Sequence, residues 1–487
     1  MIYRDKKFFV KATMSQLLIL LFALICYCSM DLESFYTKTV FEISYLLVMI
    51  QAFYVQRRLH EDWKNISNLF LFFFFFFLGN RFLFDLVSDE YNVCYFEFFL
   101  NRMVNVAVVN RALFNLIIAV CSYTIGTIWW ISRKQGRRNE KIPYLSVAGL
   151  MSQKTVYLML FIGFVFKGYY SYQTYQALLT QGYLQYFIGG FDINRNLLMM
   201  FLEAFYEIAI FILISQKERL NKIDILLIIV YVIMSLATGQ RGFAMLSFVF
   251  ILFYMYKLGR IKLGFTAIVV LGIVLFVVAS SMSYIRGGKE FSMEEIMNAF
   301  FDFFYGQSIS ITVLVATIDY ENYIDFSFWD LFGHIRYLLT YYWDKLTFQF
   351  ERPVDALTLQ AEEYKWYGQY ISSITNQDMF YRGLGLGSSY MGQFYAVGKE
   401  YMQLLGGVFV GYLVEFLYDK VCLPHFLKRF CPFHALTIIV FISRANLFEF
   451  INMQWHVYVV SVLLYIYFIH LNRILYRRTN NKCSKYV

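Results

Sequence analysis

The sequence predicts an all-α, polytopic membrane protein of about twelve transmembrane helices with one large extracytoplasmic loop. Three observations predict it. Only 16% of the 487 residues are charged and 59% are hydrophobic, whereas a soluble domain carries roughly 25% charged residues. Apolar runs recur at about the 20 residues a membrane-spanning helix needs. They are too long for barrel strands, which alternate over about ten residues. Four prolines and no Ser/Pro- or Gly-rich linker leave nothing to divide the chain, so residues 1–487 read as a single integral membrane domain.

The spans fall near 13–30, 39–56, 67–87, 108–132, 153–170, 196–216, 223–239, 242–258, 264–285, 402–418, 433–449 and 452–472. Lys and Arg in short loops set their orientation. The N-terminal segment carries Arg4, Lys6, Lys7 and Lys11. Even-numbered spans lead into Arg57-Arg58, Arg133-Lys134, Lys217/Arg219/Lys222 and Lys257/Arg260/Lys262; the tenth leads into Lys428-Arg429, and the tail holds Arg473, Arg477 and Arg478. The alternate connections are acidic or mixed, such as Asp31-x-Glu33 and Asp89-Glu90. Both termini are therefore expected in the cytoplasm. No Ala-x-Ala-like site follows the first apolar run, so it reads as a retained span.

Several function classes fall away. The basic residues sit between apolar runs and form no stripe, which argues against nucleic acid. The seven cysteines have no zinc-ligand spacing and no disulfide framework. In "GQFYAVGKE" five residues separate Gly392 from Gly398 and no Ser or Thr follows Lys399, so it is not a phosphate-cradling Walker loop. G-x-S-x-G, H-E-x-x-H and metal-bridging D-x-D patterns are absent. Neither a metal nor a cofactor is expected.

Three features call for a function. In "SLATGQRGFAML" (235–246) Arg241 sits between two apolar runs, on the outer side, where the positive-inside bias disfavours it. It reads either as an arginine snorkelling at a helix end or as an anion site flanked by Gly239 and Gly242. The segment 286–385 is long and acidic, with fourteen Asp/Glu against seven Lys/Arg, and pieces such as "EEIMNAFFDFFYGQ" (294–307) have helical apolar spacing. A shorter outer excursion, Gly168–Arg195, is rich in Tyr and Gln, which suits interfacial anchoring or sugar stacking. Third comes "YRGLGLGSSYMGQFYAVGKEYMQLLGG" (381–407). It reads either as a flexible re-entry into the tenth span or as a loop whose amides and Arg382 face an anion.

Outer-facing arginines are Arg241, Arg286, Arg336, Arg352, Arg382 and Arg444, with Arg81 and Arg102 near the boundary. Arg81 and Asp85 have the spacing of a helical pair. The planar arginine fork matches phosphate oxygens better than lysine does, so several forks at the outer leaflet suggest a diphosphate on a lipid. Arg241, Arg286, Arg336, Arg382 and Arg444 are the candidate diphosphate ligands. His334, in "GHIRYLL", is the candidate proton acceptor; Asp302, Asp319, Asp330 and Asp344 compete for that role, with Asp302 the carboxylate retained alongside it.

The "TGQRG" turn between two spans, the large outer loop and "GLGLGSSYMGQFY" feeding a "GG" span resemble the bacterial O-antigen and capsule repeat-unit polymerases of the Wzy type. The resemblance spans roughly residues 200–420, and the span layout extends it over the chain. It implies a metal-independent glycosyltransferase at the outer face of the plasma membrane. Its donor and acceptor would be oligosaccharides on undecaprenyl diphosphate, and its further partners membrane lipids and a chain-length regulator. Arg241 would match the arginine of the family's G-x-R-G turn. Residues 385–395 would match a "GxGSSxxxExY"-like pattern, making Gly385, Gly387, Ser388, Ser389, Gln393 and Tyr395 the candidate glycan loop. Gln393 stands at the acidic position, a departure; a catalytic carboxylate there would be missing, or Glu400 would have to serve. Two alternatives stand beside this reading: an O-antigen-ligase-like transferase, and a lipid-linked oligosaccharide flippase. A flippase should show two related halves, and no internal repeat is seen.

Overall fold

A computed structural model describes residues 6–88, 92–96, 99–134, 152–181, 197–216, 220–237, 241–262, scattered positions from 264 to 277, 303–347 and 356–483. The helices are α1 (Lys6–Ser29), α2 (Phe35–His60), α3 (Ile66–Phe74), α4 (Asn80–Val87), α5 (Val106–Arg133), α6 (Gln153–Gln181), α7 (Leu197–Gln216), α8 (Lys222–Ala237), α9 (Arg241–Lys257), α10 (Ile311–Asp319), α11 (Gly333–Leu346), α12 (Tyr367–Thr375), α13 (Gln377–Tyr381), α14 (Tyr390–Val421), α15 (Phe426–Ile439) and α16 (Glu449–Cys483). One two-stranded antiparallel hairpin pairs β1 (Tyr95–Phe96) with β2 (Arg102–Met103).

Among the described residues six helices are long and apolar enough to cross a membrane: Lys7–Ser29, Phe35–His60, Ile66–Val87, Val106–Arg133, Leu197–Gln216 and Tyr390–Val421. Shorter apolar helices cover Ala244–Lys257, Phe303–Asp319 and Trp455–Phe468. The ninth expected span lies largely outside the described residues, as does 294–302 of the amphipathic segment. The eleventh differs from expectation. Its helix starts earlier, holds Pro432 inside, and stops at Ile439, giving way to a 3-10 turn at Ile442–Arg444. Beyond this turn Asn446 and Leu447 bond to the glycine-rich segment.

The chain forms two compact units. The first comprises residues 1–138, 289–416 and 438–452. Helix α5 is its centre, packed by α1, α2 and α10, and buried along nearly its whole length. Asn105 caps its start by accepting from the Ala107 amide. The helices approach closely where side chains are absent. A Cβ on Gly407 would lie 1.8 Å from Ser122 Oγ, one on Gly411 would lie 2.1 Å from the Tyr123 carbonyl oxygen, and one on Gly126 would lie 2.1 Å from that of Val408. This small-residue seam is the device by which apolar helices associate where burial from water gives little drive. The hexaphenylalanine run passes through a π-helical turn, Phe75–Gly79. Part of the long acidic segment is core: α10 is buried throughout from Ile311 to Ile318.

The second unit comprises residues 139–288, 417–437 and 453–487. Helix α6 packs on α7 and α8, and α8 on α9. Phe211 centres an aromatic core, its ring 5.1 Å from Phe430, 4.9 Å from Phe433 and 5.9 Å from Tyr254. Lys167 and Glu207, both mid-helix, form an ion pair of 2.8 Å.

Candidate active site

A cluster of charges gathers in the first unit at the ends of α1, α5, α10 and a break in α14. The break comes first, because it places the rest. Inside Tyr390–Val421 two residues leave helical geometry: Gly398 (φ −169°, ψ 35°) and Lys399 (φ 52°, ψ −140°). Twelve residues of straight helix would span about 18 Å. Instead Gln403 Nε2 donates to the Met391 carbonyl at 2.5 Å, and a Cβ on Gly406 would lie 2.3 Å from the Phe394 ring. The chain therefore folds back at Gly398–Lys399, so that the two limbs pack on each other. A positive φ at a lysine costs roughly 1–2 kcal/mol. The Lys399 ammonium, 3.4 Å from the Glu321 carboxylate, helps hold it.

Arg111, early in α5, meets Glu321 as a two-pronged pair: Nη1 to Oε1 at 3.0 Å and Nη2 to Oε2 at 2.8 Å. Arg111 also donates to the Tyr395 hydroxyl, which donates to Glu321 Oε2 at 2.9 Å. Glu400, just after the break, lies 4.0 Å from Arg111. Tyr27 of α1 stacks on Phe114 with ring centroids 4.2 Å apart, and its phenol lies by Arg111 and Glu400. A second pair, Arg102 with Asp319, extends the cluster, and the Arg102 guanidinium sits 5.5 Å above the Tyr320 ring. Arg111 and Glu321 keep 22% and 20% of their side-chain surface exposed, so the cluster is reachable from outside. Two tyrosines adjoining the charged positions stand far out: Tyr323 is 75% exposed and Tyr401 84%.

The Arg111 hydrogen bonds hold the Glu321 carboxyl down to about 2; burial opposes this, while Tyr395, the Arg111 charge and Lys399 reinforce it. Glu321 is thus a firm anion and a weak base. Glu400 has one cation at 4.0 Å and is the less tightly held carboxylate. The arrangement sets three cations, Arg102, Arg111 and Lys399, against the carboxylates of Asp319, Glu321 and Glu400, with Glu321 shared by Arg111 and Lys399. An incoming anion can displace a carboxylate and leave it free to take a proton.

The sequence-derived candidates are distributed as follows. His334 opens α11 and is 2% exposed. Burial depresses its basicity, against the opposing pull of Glu449 and of its bond to the Phe448 backbone; among the described residues its Nε2 meets no hydrogen-bond partner. Arg336 pairs with Asp330 at 3.0 Å. Burial would raise the Asp330 carboxyl, but Ser327 hydrogen bonds together with Lys365 and Arg336 hold it low. Arg382 is exposed at the end of α13. Arg444 donates to Gln307 at 2.9 Å and lies over the Phe77 ring. Arg241 opens α9; its side chain, together with Arg286, Asp302 and Arg352, lies outside the described residues. Arg81 donates to the Tyr95 carbonyl oxygen and is sandwiched by the Phe96 and Tyr305 rings, at 4.9 and 4.3 Å.

In the glycine-rich segment, Gly387 takes φ +79° and is exposed, as is Gly385. The other members turn inward. Ser388 Oγ donates to Asn446 Oδ1 at 2.7 Å, and Asn446 Nδ2 to Glu449 at 2.7 Å. Ser389 Oγ accepts from the Met391 amide. The Gln393 amide oxygen accepts from the Leu447 backbone at 2.7 Å. Of this set, Tyr395 joins the charge cluster. Glu321 carries no sequence signal of a site, being one of fourteen acids in a loop; the available clue to Arg111 is its place inside an apolar span, which it shares with Arg81.

Among the described residues no three His, Cys, Asp or Glu side chains are placed to hold a metal ion. The family model described as O-antigen polysaccharide polymerase Wzy matches residues 12–474. Comparison with curated proteins and with solved structures gave no match.

Proposed function

The chain belongs to the O-antigen polysaccharide polymerase Wzy family, a family of multi-pass inner-membrane proteins acting on lipid-linked oligosaccharide repeat units, and from that premise we propose that the Arg111–Glu321–Tyr395–Glu400 cluster is where repeat units are joined. The donor is a glycan on undecaprenyl diphosphate and the acceptor is the next lipid-linked unit. The acceptor hydroxyl oxygen bonds to the donor's anomeric carbon. The bond from that carbon to the diphosphate oxygen breaks, and the diphosphate leaves with the electron pair. The acceptor proton goes to a carboxylate.

Arg111 and Lys399 hold the leaving diphosphate, assisted by the backbone amides that begin the second limb of α14. Their carboxylate partners are exchanged for phosphate oxygens as the substrate enters. Glu400 takes the proton, because Glu321 is too weak a base and His334 is buried. Exposed Tyr323 and Tyr401 offer flat faces to the sugars. Arg241, Arg286, Arg336, Arg382 and Arg444 are proposed as further diphosphate contacts; exposure supports this for Arg382 and Arg444. The count of twelve spans, cytoplasmic termini, an extracytoplasmic 286–385 loop, a chain-length regulator as partner and a reaction without metal belong to the same reading.

The observation that carries it is the two-pronged Arg111–Glu321 pair beside Glu400 at a strained, partly exposed helix break. The test is a gel of surface polysaccharide from a deletion strain complemented with wild type, Arg111→Ala, Glu400→Gln or Arg241→Ala at matched membrane abundance. Collapse of the ladder to one repeat unit in the first two variants supports the assignment. A full ladder from both overturns it. The Arg241→Ala lane decides whether the G-x-R-G turn shares the work.

A further inference from the structure

Away from that cluster, three ionisable side chains are buried together in the first unit. Lys38 and Glu42 lie one turn apart on α2, and Asp85 lies near the end of α4. Glu42 is 1% exposed. The Lys38 ammonium donates to Asp85 Oδ2 and is 3.9 Å from Glu42. The Val93 amide donates to Asp85 Oδ1 at 3.0 Å. Both oxygens of Asp85 are thus satisfied by donors, as suits a carboxylate. Among the described residues Glu42 has neither of its oxygens hydrogen-bonded to a donor; the charges beside it are Asp85 and the Lys38 ammonium, which is already bonded to Asp85. Among the described residues Cys94 and Arg81 also lie nearby, and Arg81 donates to the Tyr95 carbonyl oxygen.

Two carboxylates cannot face each other in an apolar interior with one ammonium between them. The second negative charge would be desolvated without a counter-ion, which is prohibitive, and like charges in one site exclude double ionisation. We infer that Glu42 is held as the neutral acid and donates its proton to Asp85, so that the Lys38–Glu42–Asp85 triad is a buried proton-binding site clamping α2 to α4. The triad then carries no net charge: one ammonium, one carboxylate and one acid. The proton also supplies the donor that the Glu42 oxygens otherwise lack. Raising the pH far enough to remove it leaves a net negative charge in the core and loosens the seam.

Infrared difference spectroscopy on the full-length protein in lipid nanodiscs tests this without reference to polymer synthesis. The wild type should show the carbonyl stretch of a protonated carboxyl group at neutral pH, shifted by exchange into deuterium oxide. Glu42→Gln should abolish that band while leaving melting and membrane abundance close to wild type, since glutamine keeps the shape and the neutrality. Asp85→Asn should also abolish it, because Glu42 would then ionise against Lys38 alone. A wild-type spectrum lacking the band overturns the inference, and this reading needs no variant to fold. A band that survives Glu42→Gln, or one that survives Asp85→Asn, overturns it as well. So does a band that vanishes when sodium replaces potassium at fixed pH, which would make the site one for a metal cation.

Discussion

Both units hold an ion pair at 2.8 Å, Arg111 with Glu321 in the first and Lys167 with Glu207 in the second, but the two are built for opposite ends. Around Arg111 there are spare partners: Glu400, Tyr395 and Lys399 all compete for the same two groups. Surface remains open and the backbone beside it is strained. Around Lys167 the partners are fixed. Its ammonium lies 4.7 Å over the Tyr231 ring, and the imidazoles of His434 and His456 stand near the carboxylate of Glu207. His434 is itself buried between the rings of Phe430 and Phe433. Equal bond lengths therefore say little about role. Redundancy and access mark a site that exchanges ligands; a closed set of partners marks a brace.

The comparison can be broken first at Glu400. Glu400→Gln should slow repeat-unit transfer by about 10²–10⁴-fold, measured as polymer formed per molecule, with melting unchanged. Next, Arg111→Ala should lower transfer by about 10²–10³-fold. Arg111→Lys should recover only part, because a point charge cannot make the two-pronged contact. Recovery to the wild-type rate by lysine would mean that the fork geometry is irrelevant.

For the second unit the expected loss is in stability. Lys167→Met leaves a buried carboxylate unpaired and should cost about 3–5 kcal/mol, seen as a lower melting temperature and less protein in the membrane. Activity per surviving molecule should stay near wild type, and adding Glu207→Leu should restore most of the melting temperature. If Lys167→Met instead abolished transfer in well-folded protein, the contrast drawn between the two pairs would fail.

Smaller effects sharpen the first region. Tyr401→Ala should raise the apparent KM by about 3–10-fold, on the scale of one aromatic contact of roughly 0.5–1.5 kcal/mol, with kcat little changed; Tyr401→Phe should behave as wild type. The last expectation concerns pH. Glu321 is shifted down, from 4.5 to about 2. Its pairing therefore stabilises the fold fully above pH 4.5, and that contribution fades as acid takes the pH toward 2. Melting followed from pH 6 downward should show this decline in the wild type and lack that component in Glu321→Gln.

The glycine-rich segment shows how far a one-dimensional reading reaches. Its Ser388, Ser389 and Gln393 have the composition of a ligand loop, but they turn inward and bond to Asn446, Met391 and Leu447. The partners Asn446 and Leu447 lie in the non-helical stretch that interrupts the eleventh apolar run, which hydropathy reads as continuous. Gln393 accepts a backbone N–H, which a glutamate could also do, so its departure from the family pattern need not remove a catalytic group. Glu400 was legible only as a fallback; what brings it forward is a fold-back at Gly398–Lys399 that no hydropathy profile displays.

Hydropathy and charge placement by themselves determined that this is a helical membrane protein, and the short "TGQRG" and "GLGLGSSYMGQFY" motifs pointed to its family, because both are properties of neighbouring residues. The partners of Arg111 were decided only by the tertiary structure. They come from positions 27, 321, 395 and 400, on three different parts of the chain packed against α5; of these, Tyr395 and Glu400 belong to α14, which approaches α5 closely at glycines 126, 407 and 411. Membrane burial makes an arginine costly wherever it lies, but which carboxylate balances it depends on helix packing, and packing at this seam is set by side chains that are absent.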